Sequence, residues 1–155
     1  MTTQAAFEVK DPHFAERVRE SFARQGLMRH LGAELALVDP GGVEIRVPFC
    51  AELTQQHSYF HAGVSSAIGD TACGYAAYTL MPADSSVLTV EFKVNLLAPA
   101  DGEELIALAR VVRSGKTLKI CSADVFVRKE GAEQHCATML STVMCMAGKA
   151  DKPRS

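Results

Sequence analysis

Residues 61–82 read HAGVSSAIGDTACGYAAYTLMP. Ala, Gly, Ser and Thr dominate the run from Ala62 to Leu80, and Asp70 is the only Asp, Glu, Lys or Arg between Leu53 and Ala83. A helix with small side chains nearly all round is one that other elements approach closely on most sides, so this segment belongs at the centre of the molecule. Pro82, which lacks an amide hydrogen and crowds the preceding turn, stops it. The run has about the length of a membrane span, but its hydroxyls and Asp70 make it too polar to cross a bilayer unaided; no membrane contact is expected.

Outward from that helix the patterns are equally regular. On the N-terminal side, Asp11-Pro12 opens a helix in which Phe14, Val18 and Phe22 recur every four residues before Gly26 ends it. Ala33 to Val38 and Val43 to Phe49 flank Asp39-Pro40-Gly41-Gly42, and the alternation of Val43, Ile45, Val47 and Phe49 with polar residues marks a hairpin. On the C-terminal side, Leu88, Val90, Phe92, Val94 and Leu96 alternate as in a half-buried strand. Leu105 to Arg113, Thr117 to Lys129 and Gln134 to Met146 follow, joined at Pro99–Gly102, Ser114-Gly115-Lys116 and Glu130-Gly131-Ala132. The order is helix, hairpin, buried helix and antiparallel meander. An α+β domain whose antiparallel sheet wraps a long central helix satisfies it. The boundaries expected are an N-terminal helical extension over residues 1–26, the main domain over 27–147 and a flexible polar tail over 148–155.

Composition narrows the function. The 155 residues are 48% hydrophobic and 22% charged, as in one globular domain, with a formal charge of -2 and no basic cluster to meet a nucleic acid. No basic stretch followed by an apolar one occurs at Met1 to Lys10, which favours a cytoplasmic protein. Five cysteines without a CxxC pair read as small buried thiols, not a disulfide framework or a zinc site. His57 and His61 have a metal-ligand spacing, but they precede the helix and have no adjacent third ligand; no metal is expected. Gly63-Val64-Ser65-Ser66-Ala67 lacks the last glycine of a nucleophile elbow, so Ser65 and Ser66 read as packing residues with a hydrogen bond to substrate as the alternative.

His61-Ala62-Gly63-Val64 followed by Asp70-Thr71-Ala72 resembles the HGG…D signature of hotdog-fold acyl-CoA thioesterases of the phenylacetate-degradation (PaaI-like) type. Val90 to Ala100, VEFKVNLLAPA, resembles that family's strand ending in a Leu-x-Pro-Ala turn, and Arg113 to Leu118 resembles its Gly-Lys hairpin. The likeness spans roughly residues 27–146. It implies a hotdog fold, hydrolysis of acyl-CoA to free acid and CoA without a cofactor, and a homodimer with shared sites, assembled as a tetramer from two dimers. It makes Asp70 the nucleophile or general base and the Ala62 N–H, with Gly63 beside it, the donor facing the thioester oxygen. Gln55 would position water, with Gln56 and His57 as the other candidates, and Thr89 would support the acid or the water. Ala62 stands where the family has its first glycine, and Gln55 where it has asparagine.

The chemistry agrees with these assignments. Thioester hydrolysis needs a group that attacks or activates water and donors placed where negative charge develops. The first N–H groups of a helix are such donors. Asp70, set among Ala67, Ile68, Gly69 and Cys73, is expected to have little water around it. Ala62 and Asp70 are eight residues apart, about 12 Å along one helix, whereas a reacting carbonyl must lie about 3 Å from both. A two-fold dimer, with Ala62 of one subunit facing Asp70 of the other, removes the conflict. For the CoA phosphates the available cations are Arg113 and Lys116, with Ser114 and Gly115 between them, and Lys149 and Arg154 in the tail. His61, Phe60 and Ser66 are candidate substrate contacts, and His61 also reads as a cap bonded to backbone. Tyr59, Tyr75, Tyr78 and Met81 line an acyl pocket or pack the core. Two other functions fit the same motifs: an acyl-thioester dehydratase or hydratase, and a non-catalytic acyl-CoA-binding module.

Overall fold

A computed structural model describes residues 7–153. Two short helices, α1 (Phe14–Ala23) and α2 (Gly26–His30), precede the hairpin of β1 (Glu34–Asp39) and β2 (Gly42–Pro48). A 3-10 turn at Ala51–Leu53 leads to the central α3 (Ala62–Tyr78), and β3 (Ser86–Leu96), β4 (Glu104–Ser114), β5 (Leu118–Lys129) and β6 (Ala132–Met146) complete the chain. All strand pairs are antiparallel, in the order β1-β2-β4-β5-β6-β3.

The sheet curls around α3, which packs on five of its strands, β2 to β6. Alternation sets the inner face: in β5, Cys121, Ala123, Val125 and Val127 are buried against the helix while the residues between them are half-buried. Small residues on α3 allow the approach. A Cβ added at Gly69 would lie 3.2 Å from the Met139 methyl group of β6. At its other end α3 stops where Arg17 of α1 donates to the carbonyl oxygens of Tyr78 (3.1 Å), Met81 (2.9 Å) and Pro82. A cation at a helix C-terminus complements the dipole and satisfies orphaned carbonyls. Arg17 Nε lies 3.1 Å from Asp11 Oδ2, outside hydrogen-bonding alignment, so that contact is Coulombic.

Four expectations are corrected. The last strands are not a simple meander: β3 pairs with β6 at the far edge, and residues 97–103 run across the sheet end to β4, bonded to Cys136 and Arg128 carbonyls on the way. A Cβ at Gly102 would come 2.3 Å from the Arg128 oxygen, so this crossing needs glycine. Gly26 does not end α1 but begins α2, the chain bending at Gln25 (ψ 108°). Four cysteines are buried, but Cys50 is exposed. The C-terminal tail is tied back: Asp151 accepts from Ser21 and Arg24. Arg154 lies outside the described residues, as do Met1 to Ala6 of the N-terminal extension.

Candidate active site

The entry to α3 is built by backbone. Thr54 and Phe60 form an antiparallel bridge around a turn in which Gln55 N–H donates to Tyr59 (2.9 Å) and Ser58 takes a left-handed φ of 65°. Phe60 N–H donates to Ala100 (3.0 Å) and His61 N–H to Leu53 (2.8 Å), fixing the direction of the helix. His61 is the N-cap: its Nδ1 accepts from Gly63 N–H at 2.8 Å, which places the proton of the neutral ring on Nε2. Val64 N–H donates to the His61 carbonyl at 2.9 Å. Among the hydrogen bonds of the described residues none uses the Ala62 N–H. The open donor of this helix start is therefore Ala62, because His61 has taken Gly63.

Beside Ala62 lies a cavity of about 500 Å³ lined by Gln55, Tyr59, Phe60, Ser65, Leu97 and Pro99. Gln55 is brought to it, with Oε1 accepting the His57 N–H. The Ser66 hydroxyl donates to the Ala62 carbonyl at 2.9 Å, which leaves its oxygen only as an acceptor, and Ser65 lines the cavity.

Asp70 opens elsewhere. The Thr89 hydroxyl of β3 donates to its Oδ1 at 2.7 Å, and a second cavity of about 260 Å³ surrounds the pair, walled by Ala67, Gly74, Tyr75, Gln25 and Leu27. Asp70 is half-buried here, not enclosed as its apolar neighbours in sequence led us to expect. The buried residues of α3 leave one stripe uncovered: Ala62, Gly63, Ser66, Ala67, Asp70 and Thr71. Both candidate groups sit on that stripe, in separate cavities of one chain. The neighbouring strand is β3, whose Leu88 (56%), Val90 (54%) and Leu96 (58%) are exposed at the sheet edge. An apolar edge strand beside an uncovered helix stripe is a surface built to be covered.

The thiol nearest Asp70, Cys73, and its neighbour Cys121 stay protonated at neutral pH. Burial pushes the Cys73 thiol far up and that of Cys121 to about 12. The residues Arg113, Ser114, Gly115 and Lys116 form the exposed β4–β5 tip, held by Lys119 Nζ donating to the Gly115 carbonyl at 3.0 Å. In register, Thr89 pairs with Val143, Val143 with Lys119 and Lys119 with Ser114. Three strand spacings, about 14 Å, therefore separate the tip from Thr89. Among the described residues no three His, Cys, Asp or Glu side chains converge as a metal site, and no helix is long and apolar enough to cross a membrane. Gln25 and Leu27 carry no sequence signal as site residues, because no motif links the bend between α1 and α2 to Asp70.

A six-stranded antiparallel sheet curled around one long helix that carries both an open N-terminal amide and an acid is a hotdog-fold thioesterase arrangement. The family model of the thioesterase superfamily matches residues 57–133. The chain is similar to the crystal structure of a thioesterase family protein from Silicibacter pomeroyi, with 47% identity, a TM-score of 0.86 and coverage of 87% of this chain and 99% of that one. The PaaI protein of the phenylacetic acid degradation operon of Escherichia coli shares the fold at 16% identity, with a TM-score of 0.79 over 93% of this chain and all of its own. A Thermoplasma acidophilum protein named as an esterase is 25% identical over 127 residues, 82% of this chain and 93% of its own length. The protein belongs to the thioesterase superfamily, whose reaction is thioester hydrolysis.

Proposed function

We propose that the protein hydrolyses acyl-CoA thioesters to the free acid and CoA in sites shared between two subunits. The observation that carries this reading is the Thr89–Asp70 hydrogen bond at an open cavity, on a helix with no other charge, while the free Ala62 amide of the same helix opens into a different cavity. A two-fold pairing of edge strands β3 covers the α3 stripe and sets Asp70 of one subunit opposite Ala62 of its partner; two such dimers form the tetramer. The thioester carbonyl oxygen then accepts the Ala62 N–H, with Gly63 adjacent, at the positive end of the helix dipole. Asp70 removes a proton from water that attacks the carbonyl carbon, or attacks that carbon itself to form an anhydride that water cleaves. Either route expels the CoA thiolate. The Thr89 hydroxyl orients the carboxylate, and Gln55 holds the water. Arg113 and Lys116, with Ser114 and Gly115, meet the CoA phosphates.

The test is thiol release from short, medium, long and aryl acyl-CoAs by the wild type and Asp70→Asn. Release that disappears in the variant supports the reading. Conversion to enoyl-CoA without thiol release supports a dehydratase, and binding without turnover supports a binding module. Oxygen-18 in Asp70 after a single turnover in labelled water marks the covalent route with water cleaving the anhydride at the Asp70 carbonyl; an unlabelled Asp70 places the attack of water on the acyl carbon.

A further inference from the structure

Five side chains from distant parts of the sequence form one network that reaches the Asp70 cavity through Tyr75 and Gln25. Asp151 Oδ2, in the C-terminal tail, accepts from the Ser21 hydroxyl at 2.5 Å and from Arg24 Nη2 at 2.6 Å. Ser21 Oγ lies 3.0 Å from Tyr75 Oη, and Gln25 Nε2 lies 3.1 Å from the same phenol oxygen. The proton order follows from chemistry alone. An ionised carboxylate only accepts, so Ser21 gives its proton to Asp151; Tyr75 then donates to Ser21, and Gln25 donates to Tyr75. Each link has one direction, so the chain ends by fixing which side of the Gln25 amide faces the phenol.

Tyr75 is 3% exposed, its ring packed edge-on to Phe22 of α1 at 6.0 Å. Gln25 sits at the bend between α1 and α2, with its backbone N–H bonded to Phe22 and α1 itself anchored by Arg17 on α3. Leu27 flanks it. The cavity they line has a volume of about 260 Å³, just under the range of about 300–1,000 Å³ usual for whole small-molecule ligands. It suits one end of a ligand, next to Asp70, with a polar, hydrogen-bonded wall behind it.

We propose that Gln25 and Tyr75 form the end wall of the acyl site and limit the substrates to short acyl groups, with Asp151 and Ser21 as positioning residues that hold this wall from the tail. This rests on the acyl-CoA reading above. A chain long enough to meet the wall would have to displace Gln25 and leave the Tyr75 oxygen without a donor, a cost that a shorter chain does not meet. Replacing Gln25 by Ala removes the obstruction, while Tyr75→Phe and Asp151→Ala loosen it from behind.

The experiment measures kcat/KM for butyryl-, octanoyl- and hexadecanoyl-CoA on the full chain and on Gln25→Ala, Tyr75→Phe, Asp151→Ala and the Tyr75→Phe/Asp151→Ala pair. The wild type is expected to favour butyryl-CoA. Gln25→Ala, at a half-buried position that tolerates truncation, should raise the octanoyl-to-butyryl ratio about tenfold or more, the discrimination attached to one misfitting methylene. Tyr75→Phe and Asp151→Ala should move the ratio the same way, and the pair no further than either alone, because they act through one chain. A wild type that prefers hexadecanoyl-CoA, or a ratio unmoved in Gln25→Ala, overturns the wall. Calorimetric binding of the same thioesters to Asp70→Asn reads the length limit without turnover. A wild type that releases no thiol while Asp70→Asn keeps the limit overturns the hydrolase reading alone; hydrolysis with no limit overturns the wall alone.

Discussion

Asp70 depends on one neighbour for its orientation. The Thr89 hydroxyl donates to Oδ1 at 2.7 Å, and a hydrogen bond to a charged group contributes about 1.5–3 kcal/mol. If that bond holds the carboxylate in its working position, Thr89→Ala should lower kcat about 10- to 100-fold with little change in KM, and Thr89→Ser should restore most of it; steady-state kinetics of both variants check this. Equal loss in Thr89→Ala and Thr89→Ser would place the effect in packing, not in the hydroxyl. Asp70 itself could be found in the sequence because it is the lone charge in a long uncharged run. Its exposure could not, since neighbours in sequence say nothing about the cavity that the chain leaves on the other side of a helix. Ser65 and Ser66 show the same limit. One residue of helix rotates a side chain by about 100°, which sends one hydroxyl to the cavity and the other to the Ala62 carbonyl.

At the scale of elements, period-2 alternation located β2 and β3, turn residues bounded β4, β5 and β6, and small-residue composition located α3. Alternation carries no information on which strand lies beside which, so the place of β3 next to β6 was not legible. Its consequence is an edge. Leu88, Val90 and Phe92 alternate as buried residues would, yet each is 45% or more exposed in the single chain, and Val90 sits at the bulge where the register shifts. In the proposed dimer this exposed, alternating edge is completed by a second copy of the chain. Leu88→Asp or Val90→Asp should convert the assembly to monomers by light scattering and abolish thiol release together. A variant that is monomeric and still active would separate assembly from the site.

Over the whole molecule the buried thiols make stability depend on alkaline pH. An ordinary thiol titrates near 8.5, but burial raises Cys121 to about 12 and Cys136 to about 11. Between those values the unfolded chain has lost protons that the folded chain keeps. Their contribution is therefore complete below about pH 8.5 and is lost as the pH climbs toward the folded values, by about 2–3 kcal/mol per thiol by about pH 10.5. Urea midpoints under reducing conditions should fall from pH 8 to pH 10.5, and Cys121→Ala should flatten that fall. Tyr75 and Tyr78, also raised by burial, act in the same direction, and Lys119, lowered by burial, opposes it. The assembly supplies the direct test of the shared site. Ala62 follows the N-cap His61, whose extended backbone (φ -65°, ψ 138°) accepts a following proline, so Ala62→Pro deletes one N–H at a helix position that proline tolerates. Homo-oligomers of Ala62→Pro and of Asp70→Asn should each be inactive. Unfolded together and refolded at equal amounts, they should recover about a quarter of wild-type thiol release, because half of the dimers are mixed and each mixed dimer holds one intact site of two. Activity that stays at the level of the separate variants would contradict a site divided between subunits.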